Sequence, residues 1–237
     1  MLEETLKKYA FRKKVKFSLS NHQIAAVYSS HFNTTETPGA NYALSQFQQY
    51  KNLTFIDPRI RNLGVRIVTE TEIEKNEDFE NTDIDHYKAF RILCGVSEGP
   101  CISKNIPHHL NFQYLNCINL NKGCYVGQEL IARTSSQGVV RTGIFPFYIG
   151  EKKSEVHRAE YINGSENLKI EGKIINSAGL AVGEVIESSL NVGLGKIKKE
   201  KLNYECWLED GKKINLLDPV YSFDKLDTQA EFNNLSL

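Results

Sequence analysis

The stretch after Arg141 most constrains what this 237-residue chain can fold into. Gly143 to Ile149, Leu168 to Ile175, Leu180 to Ile186, Val192 to Ile197, Cys206 to Leu208 and Ile214 to Val220 are short, β-rich runs separated by Gly, Asn and Ser. No helical period intervenes. Strands that short, so closely spaced, pair with their neighbours and bury their apolar faces by closing on themselves or stacking as two sheets. The pattern predicts a small antiparallel β-barrel or sandwich over residues 143–237, with a domain boundary near Thr142.

Residues 1–142 carry a mixed signature. Val15, Phe17 and Leu19 alternate with Lys16, Ser18 and Ser20, the period of a half-buried strand, and Ile24 to Tyr28 supplies a partner. Leu53 to Ile56 and Leu63 to Val68 read as strands around the turn Asp57-Pro58-Arg59. Tyr87, Phe90, Ile92 and Leu93 recur at helical spacing, and Gly95 follows as a stop. Ser29 to Asn41, with Pro38-Gly39, reads as a loop, and Asp224 to Leu237 as a peripheral tail. The class is α+β. Leu2 to Phe11 resembles the end of a helix leading straight into a strand that needs neighbours to bury it, so the first portion is expected to be incomplete at its N-terminus.

Composition narrows the function classes. Twenty-nine basic residues balance 29 acidic ones, so overall charge points to neither a nucleic acid nor an anionic membrane as partner. No apolar run approaches the roughly 18 residues of a membrane-spanning helix. Met1 to Lys8 has neither a signal-peptide core nor a transit-peptide composition, which reads as a cytosolic or already processed chain. Five cysteines, with no C-x-x-C pair, argue against a disulfide framework and a zinc ribbon. Phosphate-binding loops, H-E-x-x-H, nucleophile elbows and dinucleotide fingerprints are absent from the sequence.

Chemistry concentrates in Lys122-Gly123-Cys124-Tyr125-Val126-Gly127-Gln128-Glu129-Leu130. Cys124 stands beside a lysine and ahead of a predicted helix start, a setting that favours thiolate over thiol. Glu129 and Arg133 are spaced i, i+4 and face each other on one side of that helix. Lys122, Arg133 and Arg141 gather cations around the thiol, and guanidinium groups bind carboxylates bidentately. The adjacent His108-His109 point in different directions on most backbones, which argues against a shared metal site.

The segment from Lys122 to Glu129 resembles the K-G-C-Y-x-G-Q-E signature of the YgfZ-type proteins, whose mitochondrial members act in iron–sulfur cluster assembly. Two further segments match that family: Asp57-Pro58-Arg59 through Leu63-Gly64 and Arg66, and Tyr87, Arg91, Gly95 and Glu98-Gly99. Pro107-His108-His109-Leu110-Asn111 departs from the family's P-L-E-x-N, so this chain lacks that glutamate as a ligand contact. The resemblance implies an aminomethyltransferase-like (T-protein-like), folate-binding α+β body over residues 1–142 and a C-terminal barrel over 143–237. It implies a mitochondrial-matrix accessory factor, or a bacterial-type cytoplasmic one, that assists maturation of four-iron, four-sulfur proteins with A-type carriers as partners. Cys124 would be the functional thiol and a transient iron–sulfur cluster ligand. Lys122, Tyr125, Gln128, Glu129, Arg133, Arg141, Arg59 and Arg91 would be available to tetrahydrofolate. A folate-dependent one-carbon (aminomethyl) transferase is the alternative. A thiol redox protein is a third reading, disfavoured by the want of a nearby resolving cysteine.

Overall fold

Helix α3 (Ile84–Leu93) lies between the two halves of the molecule and is buried over its second half, Ala89 to Leu93, where it meets apolar side chains on two sides. In this computed structural model, residues 2–9, 14–16, 18–29, 38–50, 53–73, 77–103, 105–137, 139–153, 158–162, 167–202 and 205–221 are described. Asp83 caps α3, its carboxylate accepting the His86 N–H at 2.7 Å. One side of the helix, Phe90 and Cys94, packs with Leu63, Val96 and Leu115. The other side, Ala89, Ile92 and Leu93, packs on Ile144, Leu190, Val192 and Leu194.

Ahead of α3 come helix α1 (Leu2–Tyr9), strand β1 (Gln23–Val27), helix α2 (Pro38–Gln46), and strands β2 (Thr54–Ile56) and β3 (Val65–Thr69). The three strands form an antiparallel sheet in the order β1-β3-β2. Its inner face, with Val27, Val65, Ile67 and Ile56, packs against Ala43 and Phe47 beside α2. Its outer face leaves Ile24 71% and Phe55 42% exposed. Two expectations fail here. Residues 14–16 and 18–20 are not in a strand, because β3 already has a partner on each side and the Val15/Leu19 alternation finds no other among the described residues. Pro38-Gly39 opens α2 instead of lying in a loop, since proline is favoured in the first helical turn, where its missing N–H costs nothing. The expected tail at 224–237 lies outside the described residues.

Beyond α3, helix α4 (Gln128–Gln137) leads to β4 (Thr142–Tyr148), β5 (Lys173–Asn176), β6 (Ala181–Ser189), β7 (Val192–Lys198), β8 (Glu205–Leu208) and β9 (Lys213–Leu216). These six strands close an antiparallel barrel in the order β4-β7-β6-β5-β8-β9, with β9 returning to β4 through Phe147↔Leu216. Closure removes the edges that six short strands would otherwise leave open. Phe147, Ile174, Val182, Ile197, Cys206, Leu208, Ile214 and Leu216 form its core. Phe147 stands opposite Gly193, where an added Cβ would fall 2.2 Å from the ring, so glycine is what admits the aromatic side chain.

Candidate functional site

Cys124 sits on an exposed connection. After the short helical turn Phe112–Tyr114 the chain runs through residues 117–125 without helix or strand and then enters α4. Gly127 turns it into the helix at φ +88°, a backbone conformation glycine adopts without strain. The Gln128 side-chain oxygen accepts the Tyr125 N–H at 3.3 Å and ties the loop to the first helical turn. Cys124 is exposed, and Val126 beside it is fully so. The nearby cations have other commitments. Lys122 Nζ lies 4.4 Å from the centroid of the Tyr125 ring, and Arg133 pairs with Glu129 at 2.9 Å across one exposed turn. Arg141 is exposed where the chain enters β4, and its carbonyl accepts the Lys199 N–H at 2.8 Å.

Beside this loop is an open groove of about 530 Å³, lined by Leu120, Glu129, Ala132, Arg133, Ser135 and Ser136. Below α4, His108 is 2% exposed, and its Nε2 lies 2.9 Å from Ser135 Oγ. Burial, with the neighbouring His109, holds the His108 imidazole below its ordinary range, so the neutral ring is the resting form. Its Nδ1 is buried without a partner.

Arg59 and Arg91 are engaged elsewhere, in a network whose members, Glu187 excepted, stand in the two further family-matching segments. Arg59 donates from Nε to Asp57 Oδ1 at 3.0 Å and from a terminal nitrogen to Asp57 Oδ2 at 2.8 Å, and it also pairs closely with Glu98. Arg66 donates from Nε to the same Asp57 at 3.0 Å and from its terminal nitrogen to the Tyr87 hydroxyl. Arg91, 2% exposed, pairs with Glu187 on β6, and its Nε lies 3.3 Å from Glu98 without hydrogen-bond alignment. Three guanidinium groups thus meet three carboxylates. Burial alone would raise the Asp57 carboxyl, but hydrogen bonds from Arg59 and Arg66 and the charge of Arg59 outweigh it, and the group ends below the usual range. Asp57, Arg66, Glu98 and Glu187 were not among the sequence candidates. Asp57 and Arg66 had a local signal, the turn beside a strand start, whereas Glu187 lies 96 residues from Arg91 in the chain.

The structure therefore brings Lys122, Cys124, Tyr125, Gln128, Glu129 and Arg133 into one exposed region, and places Arg59 and Arg91 in a separate, charge-balanced one. Among the described residues, no group of three or more His, Cys, Asp or Glu side chains is placed to hold a metal ion. An exposed single thiol can still complete a metal site with ligands from another molecule, because thiolate is a soft ligand. No helix among the described residues is long and apolar enough to cross a membrane.

No family model matches the chain. It is 31% identical over 166 residues to the mitochondrial iron-sulfur cluster assembly factor IBA57 homolog of Dictyostelium discoideum, covering 65% of this chain and 40% of that protein. It is 29% identical over 219 residues to the Mycosarcoma maydis homolog, with 83% and 52% covered, and 27% identical over 207 residues to human IBA57, with 85% and 54% covered. The chain thus spans roughly half of these relatives, or less. All three are named as mitochondrial, which supports a mitochondrial location for this chain.

Proposed function

We propose that this chain is a YgfZ-type accessory factor of the mitochondrial matrix, acting in the maturation of four-iron, four-sulfur proteins. The observation that carries the reading is Cys124, an exposed thiol at the tip of a helix-anchored loop, in a chain whose relatives are named as iron–sulfur cluster assembly factors. A cluster in transit needs a ligand that can be reached and released. An exposed thiol meets that need, where the buried Cys94 and Cys206 do not. The cluster is cargo. Its remaining ligands come from the partner, an A-type carrier or a client protein, and Tyr125, Gln128 and α4 hold the Cys124 loop in place for that encounter.

The body is proposed to be aminomethyltransferase-like, with affinity for tetrahydrofolate. The groove beside α4 fits part of such a molecule. Arg133 offers donors to a carboxylate tail, and Leu120 and Ala132 offer apolar surface to an aryl group. To bind it, Arg133 must exchange Glu129 for the ligand, a small cost for a pair 63% and 87% exposed. Arg59 and Arg91 are paired with their own carboxylates, so the reading rests on Arg133 in the groove, with Lys122 and Arg141 as the other cations of the motif and its flank. When bound, the folate would supply a one-carbon carrier ring system.

Expression of the chain, directed to the matrix, in cells lacking the native factor tests the proposal. Restored activity of four-iron, four-sulfur enzymes, with enzymes carrying smaller clusters unchanged, is the expected result. No restoration despite accumulation of the protein would reject it.

A further inference from the structure

Two of the five cysteines are exposed, Cys117 and Cys124, and both lie in the segment that precedes α4. The other three are sequestered. Cys94 and Cys206 are buried, and the half-buried Cys101 donates to the Glu98 carbonyl at 2.9 Å and to Glu187 at 3.4 Å. Burial and the Glu187 carboxylate push its thiol up to about 11. Residues 117–125 form neither helix nor strand. The segment is fastened near its ends, by the Asn116 side chain donating to the Pro58 carbonyl at 3.1 Å and by Tyr125 to Gln128. Between them, a Cβ added at Gly123 would meet nothing within 4 Å. A disulfide needs the two Cα atoms at roughly 4.4–6.8 Å, and neither cysteine lies in α4 or in a barrel strand, so closing to that distance draws on the irregular segment between them.

We propose that Cys117 is the resolving cysteine for Cys124: hydrogen peroxide oxidises Cys124, and Cys117 closes a reversible disulfide within the loop that shields the functional thiol. In the first step the Cys124 sulfur attacks a peroxide oxygen, forming an S–O bond and releasing water, and becomes a sulfenic acid. In the second, the Cys117 sulfur attacks Cys124, the S–S bond forms, and the hydroxyl leaves as a second water. Two thiols lose two electrons and peroxide gains them. The order follows from the surroundings. Cys117 donates its S–H to the Leu115 carbonyl at 3.2 Å, and burial pushes its thiol up against the opposing pull of Arg59, so it rests as a thiol while Cys124, exposed beside Gly123, meets the oxidant. A dithiol reductant reverses the closure. The sequence alone disfavoured thiol redox chemistry for want of a nearby resolving cysteine; the common exposure of Cys117 and Cys124 on one irregular segment supplies the candidate. The effect on cluster assembly rests on the role of Cys124 proposed above, whereas the disulfide itself does not.

The test is peptide mapping of the purified chain after brief treatment with equimolar peroxide, alkylation of free thiols and non-reducing tryptic digestion. Cleavage after Lys122 separates the two cysteines. The expected product is a linked peptide pair containing Cys117 and Cys124 that dithiothreitol separates. In Cys117→Ser, the share of Cys124 driven to sulfinic acid or to mixed disulfides should rise severalfold. Absence of the linked pair, or an unchanged share of Cys124 in sulfinic acid and mixed disulfides in the variant, overturns the proposal. Both readings come from the protein alone and hold whatever cluster-assembly assays of Cys124 variants return.

Discussion

The charge network around Arg91 and the loop around Cys124 use similar residue types in opposite ways. In the network, Arg59, Arg66 and Arg91 are each matched to a carboxylate that β2, β3, α3 and β6 bring together, and Asp57 and Arg91 are almost fully buried. In the loop, Lys122 covers an aromatic ring, Arg133 holds an exposed carboxylate, and Cys124 stands open to solvent. Cationic side chains are therefore no measure of binding capacity by themselves. What decides is whether the fold has already supplied their counter-charges, which makes the first region a fastening between body and barrel and the second a surface able to exchange partners.

Arg91→Ala should break that contrast most severely. It strands Glu187 beside a helix core while Glu98 keeps Arg59, and removing one member of a buried pair costs on the order of 3 kcal/mol. Urea denaturation reads the loss directly; a change below about 1 kcal/mol would mean that the network fastens nothing. Arg133→Ala should leave folding within about 0.5 kcal/mol, because its pair is exposed. The same change should weaken tetrahydrofolate binding by roughly 1.5–3 kcal/mol, the worth of a hydrogen bond to a charged group, and wild-type binding should weaken with salt. Unchanged affinity by calorimetry would remove Arg133 from the ligand contacts.

The network also has a pH signature. Since the Asp57 carboxyl is held below its unfolded value of about 3.9, its contribution is complete well above that value and is lost as pH falls through the lower folded one. Stability should therefore decline from about pH 5 downward, and Asp57→Asn, starting less stable, should decline less over the same window. Equal slopes for the two proteins would show that Asp57 is not a source of the acid sensitivity.

Much of the fold was legible because it is local. Short apolar runs between turn residues gave the barrel strands, and helical spacing from Tyr87 to Leu93 gave α3. The alternation at Val15 and Leu19 misled because period-two patterning records a preference for a pleated surface, not the presence of a partner to pair with. The site divided along the same line. The Cys124 loop was readable from contiguous residues, Lys122 to Arg133. The pairing of Arg91 with Glu187 was not, since it joins α3 to a strand far along the chain and leaves no pattern in either neighbourhood. The Ser135 hydroxyl facing His108 was missed for the same reason.

The smallest effect on folding and the largest on function should come from one residue. Cys124→Ala removes an exposed thiol, so its unfolding free energy should stay within about 0.5 kcal/mol of wild type. The decisive measurement is four-iron, four-sulfur enzyme activity in matrix extracts of cells lacking the native factor and expressing wild-type or Cys124→Ala chain at equal abundance. Activity restored by the wild type and absent with the variant is the predicted result; equal restoration by both would contradict the account.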